Sequence, residues 1–240
     1  MAPGASALRL VTYNVHRCVG ADGSGSVERI GQVLAELGGD VIAVQEVVSS
    51  ERVPSPGQLE RLADASGRVA VPGGTLVEGD GRYGNGLLTR HPVRSVERHD
   101  LSIQGAEPRG ALEVVLDLPC GPARVIATHL GLRARERSAQ IEGLAAILVA
   151  RPEPVLALLG DMNEWRRRPF RDPLEVLSRG LLPVPIARTF PARRPVVALD
   201  RIFIGPDFRL IDSGAHRSAL SRVASDHLPL FAEVEPAGEA

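Results

Sequence analysis

The stretch Leu156-Ala157-Leu158-Leu159-Gly160-Asp161-Met162-Asn163-Glu164-Trp165 carries an apolar run into a glycine, then a carboxylate and an amide two positions apart. Residues i and i+2 of a strand point to the same face. Strand geometry carried past Gly160 therefore aims Asp161 and Asn163 at one point. A divalent cation or a phosphate oxygen suits that point, Asp161 bringing charge and Asn163 a neutral ligand or donor. The ordinary alternative is a strand that ends in an Asx-turn.

Comparable strand ends recur on either side. Leu8 to Val15 reads as a buried strand that leads through Asn14 to His16. Ser26 caps a helix running to about Leu37, with Val27, Ile30, Val33, Leu34 and Leu37 on one face, and Gly38-Gly39 stops it. Asp40 to Gln45 is a second buried strand, ending at Glu46. Strand, helix and strand in this order make a βαβ unit with parallel strands, which puts Asn14 and Glu46 at one carboxyl edge.

Gln58 to Ala65 reads as a short helix. Arg68 to Val71 and Thr75 to Val77 read as short strands joined by a Pro72-Gly73-Gly74 turn. The segments around Tyr83 to Arg90, Val93 to Leu101, Ala111 to Leu118 and Arg124 to Thr128 follow as strands joined by short turns, an antiparallel pattern. Arg133 to Ala150 is helical and leads into the Leu156 strand. Pro173 to Ser178 reads as a short helix, and Val196 to Ile204, Phe208 to Ile211 and Leu228 to Val234 as closing strands. One domain over residues 8–235 is expected, with short flexible ends at 1–7 and 236–240.

Composition narrows the function. The net charge of -1 gives no global case for nucleic acid or an acidic membrane. All 28 Lys+Arg residues are arginine, which excludes a lysine-type phosphate loop and a lysine Schiff base. Two cysteines, Cys18 and Cys120, are too few for a disulfide framework. Together with the lack of a leader-like or membrane-spanning apolar run, they make a cytoplasmic protein the expectation. The chain has three asparagines, Asn14, Asn85 and Asn163, each at or within a strand-like segment, although its turns and caps use Ser, Asp and Gly.

Tyr13-Asn14, Gln45-Glu46, Thr128-His129-Leu130, Gly160-Asp161-Met162-Asn163, Leu199-Asp200-Arg201 and Ser225-Asp226-His227-Leu228-Pro229 occur in that order. The series resembles the endonuclease/exonuclease/phosphatase superfamily over about Leu10 to Leu230. The resemblance implies an α/β (α+β) fold, a four-layer sandwich of two packed mixed β-sheets flanked by helices in a single domain. It also implies a divalent-metal-dependent phosphoesterase in which water attacks phosphorus in line.

Residue by residue, the resemblance assigns Glu46 to magnesium, with manganese a possible substitute, and sets Asn14 and Asp226 beside it. His227 falls on the scissile phosphate, with Asp200 orienting its ring. Asp161 and Asn163 position or deprotonate the water and bind phosphoryl oxygens; whether Asp161 or His227 is the formal base stays open. His129 would protonate the leaving oxygen. Asn85 resembles a residue near the scissile phosphate, and Arg109 offers a bidentate phosphate fork, with an ordinary surface arginine as the alternative. Arg166, in the run Arg166-Arg167-Arg168, lines the substrate groove or a solvated face. Cys18 lacks a paired base and is not expected to be a nucleophile. A phosphodiester substrate follows, with a lipid head group, a small molecule and nucleic acid as its possible classes, on a monomer. The rival from another class is a binding module that kept the fold and lost the chemistry.

Overall fold

The computed structural model describes residues 7–50, 56–165 and 173–238. Strands β1 (Leu8–Asn14) and β2 (Val41–Ser50) run parallel, linked by helix α1 (Val27–Leu37). The Ser26 side chain accepts the Arg29 N–H at the start of α1, and Gly38 ends the helix in the left-handed region at φ 66°. Helix α2 (Gln58–Ser66) and strands β3 (Val69–Glu78) and β4 (Gly81–Thr89) follow. Expected as two short strands around a turn, β3 is one strand: its register slips between Gly74 and Leu76, so the glycines form a bulge and not a reversal.

The second half repeats the plan. Strands β5 (Val93–Asp100), β6 (Gly110–Leu118) and β7 (Gly121–His129) are antiparallel neighbours. Helix α3 (Ala134–Val149) then crosses to β8 (Val155–Asp161), which lies parallel to β7. A 3-10 segment, Pro173–Arg179, precedes the two-residue β9 (Leu182–Pro183) and β10 (Asp200–Ile204). Strand β10 is shorter than the Val196 start expected, because Val196 and Val197 bond back to Phe190. Strand β11 (Phe208–Ala215), helix α4 (Ser221–Ala224) and β12 (Leu230–Pro236) close the chain. β12 holds Pro236 opposite Phe208, and the Ala237 N–H bonds to Asp207 O.

Two six-stranded mixed sheets result, ordered β11-β12-β1-β2-β4-β3 and β5-β6-β7-β8-β10-β9. Each contains one βαβ unit at its middle. The strands of these units are buried on both faces, which is why they read as continuous apolar runs. In β1, Leu8 and Leu10 enter the core between the sheets, while Val11 and Tyr13 face α1 and α2. The second sheet presents Ile126, Leu158 and Phe203 to α3 and the 3-10 segment. Helix, sheet, sheet, helix is thus the observed four-layer order.

The layers bring the strand ends together. Asn14 pairs with Gln45 on β2, His129 pairs with Asp161 across β7 and β8, and Asp161 pairs with Asp200 across β8 and β10. Three site candidates therefore lie side by side on adjoining strands of one sheet.

Candidate active site

Backbone geometry at the strand ends explains how the site is built. Between Val44 and Val47, β2 carries one more residue than the facing stretch of β4, and Glu46 in this bulge has φ 58°. A left-handed glutamate is uncommon and costs about 1–3 kcal/mol, a strain that clusters at functional sites. Here it turns the Glu46 carboxylate toward Asn14. His16, Arg17 and Cys18 also have positive φ and make a tight turn directly after β1. The His16 N–H in that turn holds Asn14 Oδ1 at 3.0 Å.

Asn163 is left-handed too, at φ 49°. Strand geometry does not persist past Asp161, and the alternative of a strand that ends in an Asx-turn is the one found. The Asn163 N–H donates to Asp161 Oδ1 at 2.9 Å, an Asx-turn. That turn, and not a shared strand face, brings the Asn163 side chain back over the site. Gly160 makes the close approach possible: a Cβ there would lie 1.9 Å from Thr128 O.

Asp161 is the meeting point. Its Oδ2 accepts from Asn14 Nδ2 at 3.1 Å and lies 3.5 Å from His129 Nε2 and 3.7 Å from His227 Nε2. The same Asn14 Nδ2 donates to Glu46 Oε1 at 2.9 Å. Both Asn14 and Asp161 are about 1% exposed. Asp200 Oδ2 lies 2.9 Å from His227 Nδ1 and also accepts from Thr189 Oγ1. Phe190 covers the His227 ring, with centroids 5.0 Å apart. Ser225 Oγ donates to Asn14 O at 2.8 Å, which ties the His227 loop to the end of β1.

The two histidines are pushed in opposite directions. Burial disfavours charge on His227, but Asp200, then Asp161 and Asp226, outweigh it and raise the ring to about 10. Burial dominates at His129 and lowers it to about 4; Arg109 and His227 add to the lowering and Asp161 opposes it. Environments that separate like groups in this way assign them different roles. Burial also pushes the Cys18 thiol up to about 12, in keeping with its expected inertness.

Carboxylates converge here in a form that fits a hard cation. Glu46 and Asp161 reach a single neutral amide from two sides, so two carboxylates offer oxygen ligands there, with His227 the cation that faces Asp161. Asp161, Asp200 and His227 offer ligand atoms within 4.8 Å of one another. Asp226 stands beside His16, with Oδ1 3.9 Å from the ring Nδ1. Among the described residues, Glu97, His99 and Glu113 form the other such group, but Arg124 and Arg151 already neutralise it.

The remaining candidates divide. Asn85 is buried opposite the Glu46 bulge; its Nδ2 donates to Gly110 O at 3.0 Å and its Oδ1 has no partner. Arg109 is not an open surface fork. It is buried, and its Nη1 lies 3.0 Å from His129 Nδ1 and 3.4 Å from Glu107. Arg166 lies outside the described residues. Sequence reasoning gave no role to three supporting residues: Thr189, Ser225 and Tyr83. Burial and then Glu46 push the Tyr83 phenol up, so it stays protonated and bonds the Glu46 carboxylate, while Arg17 stacks 4.0 Å from its ring. The Ser225-Asp226-His227 motif contained one of them, and Tyr83 stands two residues before Asn85 in the glycine-rich insert.

The model of the Endonuclease/Exonuclease/phosphatase family matches residues 11–227. The chain belongs to the endonuclease/exonuclease/phosphatase family. That span encloses the site from β1 through His227. A curated relative, the uncharacterized protein YbhP of Escherichia coli K12, is 32% identical over 249 residues, which cover 94% of this chain and 95% of YbhP. Among solved structures, an endonuclease/exonuclease/phosphatase from Beutenbergia cavernae matches at 25% identity and TM-score 0.76, over 97% of this chain and 72% of that one. The same fold recurs at 18% identity in the Bacteroides thetaiotaomicron mannosyl-6-phosphatase Bt3783, with TM-score 0.73 over 95% and 99% of the two chains. Danio rerio TDP2 with a single-strand DNA product also matches at 18% identity, with TM-score 0.71 over 96% and 99%. The family's members are hydrolases of phosphoester bonds and generally depend on divalent metals.

Proposed function

We propose that this chain is a divalent-metal-dependent phosphoesterase that hydrolyses a phosphodiester by in-line attack of water. The observation that carries the reading is the meeting of Asn14, His129 and His227 at one oxygen of Asp161, with Glu46 one hydrogen bond further on. Glu46, Asn14 and Asp226 are the residues that would hold magnesium, or manganese in its place. A bound cation of this kind supplies Lewis acidity to the phosphoryl oxygens.

The chain's own groups account for the protons. His227 keeps its proton at neutral pH because Asp200 accepts from Nδ1 and Asp161 faces Nε2. It is therefore the acid, and Asp161 is the base. The proton of the attacking water passes to Asp161 as its oxygen bonds to phosphorus. The bond to the leaving oxygen breaks, and that oxygen takes the Nε2 proton of His227. Asp161 then returns a proton to His227 across 3.7 Å. Asn163 and Asn85 would hold the phosphoryl oxygens through side-chain amides.

The test is cleavage of supercoiled plasmid, mixed phospholipid vesicles and bis(p-nitrophenyl) phosphate, with magnesium or with chelator, by wild type and His227→Ala. Magnesium-dependent cleavage of at least one, reduced about 100-fold or more in the variant, is expected. Plasmid nicking would define a nuclease, and head-group release a lipid phosphodiesterase. Failure on all three, or cleavage that survives chelator, contradicts the proposal and returns the chain to a binding role.

A further inference from the structure

Arg109 was the natural candidate for a phosphate fork, and its position argues for different work. The guanidinium is buried, with Nη1 at 3.0 Å from His129 Nδ1, 3.4 Å from Glu107 Oε1, and Nε without an acceptor. A guanidinium nitrogen only donates. A ring nitrogen that faces it at hydrogen-bond distance must present a lone pair. His129 Nδ1 is therefore bare, and in the neutral ring the hydrogen sits on Nε2.

The far side of the ring agrees. His129 Nε2 faces Asp161 Oδ2, an acceptor, at 3.5 Å. Asn163 Nδ2, which also donates to Leu130 O at 2.9 Å, lies 3.1 Å from Nε2 as a second donor, but a neutral ring has one bare nitrogen; the charged guanidinium claims it at Nδ1 over the neutral amide, which leaves Nε2–H to the Asp161 carboxylate. A second proton on the ring would set Nδ1–H against Arg109 N–H inside a buried site. Loss of the Nε2 proton would leave an imidazolate. With Arg109 in place, His129 has a donor to offer and no proton to exchange.

We propose that Arg109 is a positioning residue that locks His129 in its Nε2–H tautomer, making His129 a neutral hydrogen-bond donor to the phosphoryl group. This inference rests on the phosphoesterase reading for its consequence, but the tautomer itself does not. It departs from the sequence expectation that His129 protonates the leaving oxygen; that step falls to His227. Glutamine reproduces a donor near the Nε2 position and cannot act as an acid.

Two measurements separate the outcomes. In histidine-labelled protein, the ring 15N shifts of His129 should report a protonated Nε2 and a bare Nδ1, and Arg109→Met should move the ring toward a mixture of tautomers. A protonated Nδ1 in wild type overturns the inference whatever the activity. On whichever phosphoester is cleaved, His129→Gln should retain activity within about tenfold of wild type, and His129→Ala should lose about 100-fold or more. Arg109→Met should lower kcat in wild type and change little in the His129→Gln background, where no tautomer remains to be fixed. Equal loss in His129→Gln and His129→Ala, or an undiminished Arg109→Met effect in the glutamine background, would sink the proposal. If no phosphoester is cleaved, the functional reading fails while the 15N result still decides the tautomer.

Discussion

Asp161 lies between a histidine that holds its proton and one that resists a second, and the difference is measurable as stability. His227 is raised to about 10 in the fold, against about 6.5 for a free ring. A raised basic group adds stability that is complete below the unfolded value and disappears as pH climbs through the folded one. Asp200→Asn removes the first attractive partner of that ring. In chelator-treated protein, the stability gap between wild type and Asp200→Asn should therefore be widest near pH 6 and should narrow from about 6.5 to about 10. Denaturant unfolding at several pH values checks this, and a gap that is flat with pH contradicts it. His129 has the opposite sign: its unfolded form takes up a proton first, so it costs stability as pH falls from about 6.5 through about 4.

The same scale shows how far the residues could be read beforehand. Of the three asparagines in a chain that otherwise avoids them, Asn14 bonds Glu46 and Asp161, Asn163 bonds Asp161, and Asn85 bonds Gly110 O next to Arg109. Arg109 was read as a bidentate phosphate fork or an ordinary surface arginine, because sequence cannot tell that a guanidinium is buried against an imidazole. Tyr83 and Thr189 went unread for the same reason: their partners, Glu46 and Asp200, are distant in sequence and meet them only through sheet packing.

Among elements, the β7–β8 pair governs the site. Its register sets His129 against Asp161, and it depends on the bare Cα of Gly160 against Thr128 O. Gly160→Ala would force the strands apart. We expect it to cost about 3 kcal/mol and to depress any activity further than the stability loss explains, as checked by unfolding and by kinetics below the melting range. The helix that joins these strands is anchored by another buried group. Arg124, fully buried, donates to Glu113 at 2.8 Å and to Ile147 O at 2.7 Å near the end of α3. Arg124→Met leaves the Glu113 carboxylate with Arg151 as its cationic partner and the His99 ring beside it, and removes a donor from the helix end. A loss of about 3 kcal/mol in denaturant unfolding is expected; a change within about 0.5 kcal/mol would contradict that account.

Element boundaries set by capping were legible: Ser26 and Gly38 delimit α1 as expected. Those set by bulges were not. The β3 glycines read as a turn, and the Glu46 kink gave no local signal, since a left-handed glutamate is imposed by the partner strand and not by its own propensity.

At the scale of the whole molecule, each sheet contributes one βαβ unit, and the two units deliver Asn14 with Glu46 and His129 with Asp161 to one edge. No helix among the described residues is long and apolar enough to cross a membrane. The fold is common to proteins as different as a mannosyl-6-phosphatase and a DNA-bound TDP2, so the fold alone does not select a substrate. A cation bound between the sheets should stabilise the folded state by mass action, about 2.7 kcal/mol at a hundred times its dissociation constant. We expect Glu46 and its neighbouring carboxylates to hold a divalent cation for phosphoester hydrolysis. The most direct test is a magnesium titration of wild type and Glu46→Gln, following melting temperature and bis(p-nitrophenyl) phosphate cleavage in the same samples. Both should rise together in wild type, and neither should respond in Glu46→Gln at the same concentrations. A wild-type protein whose melting temperature and activity ignore magnesium, or a Glu46→Gln variant that matches wild type, would contradict this expectation.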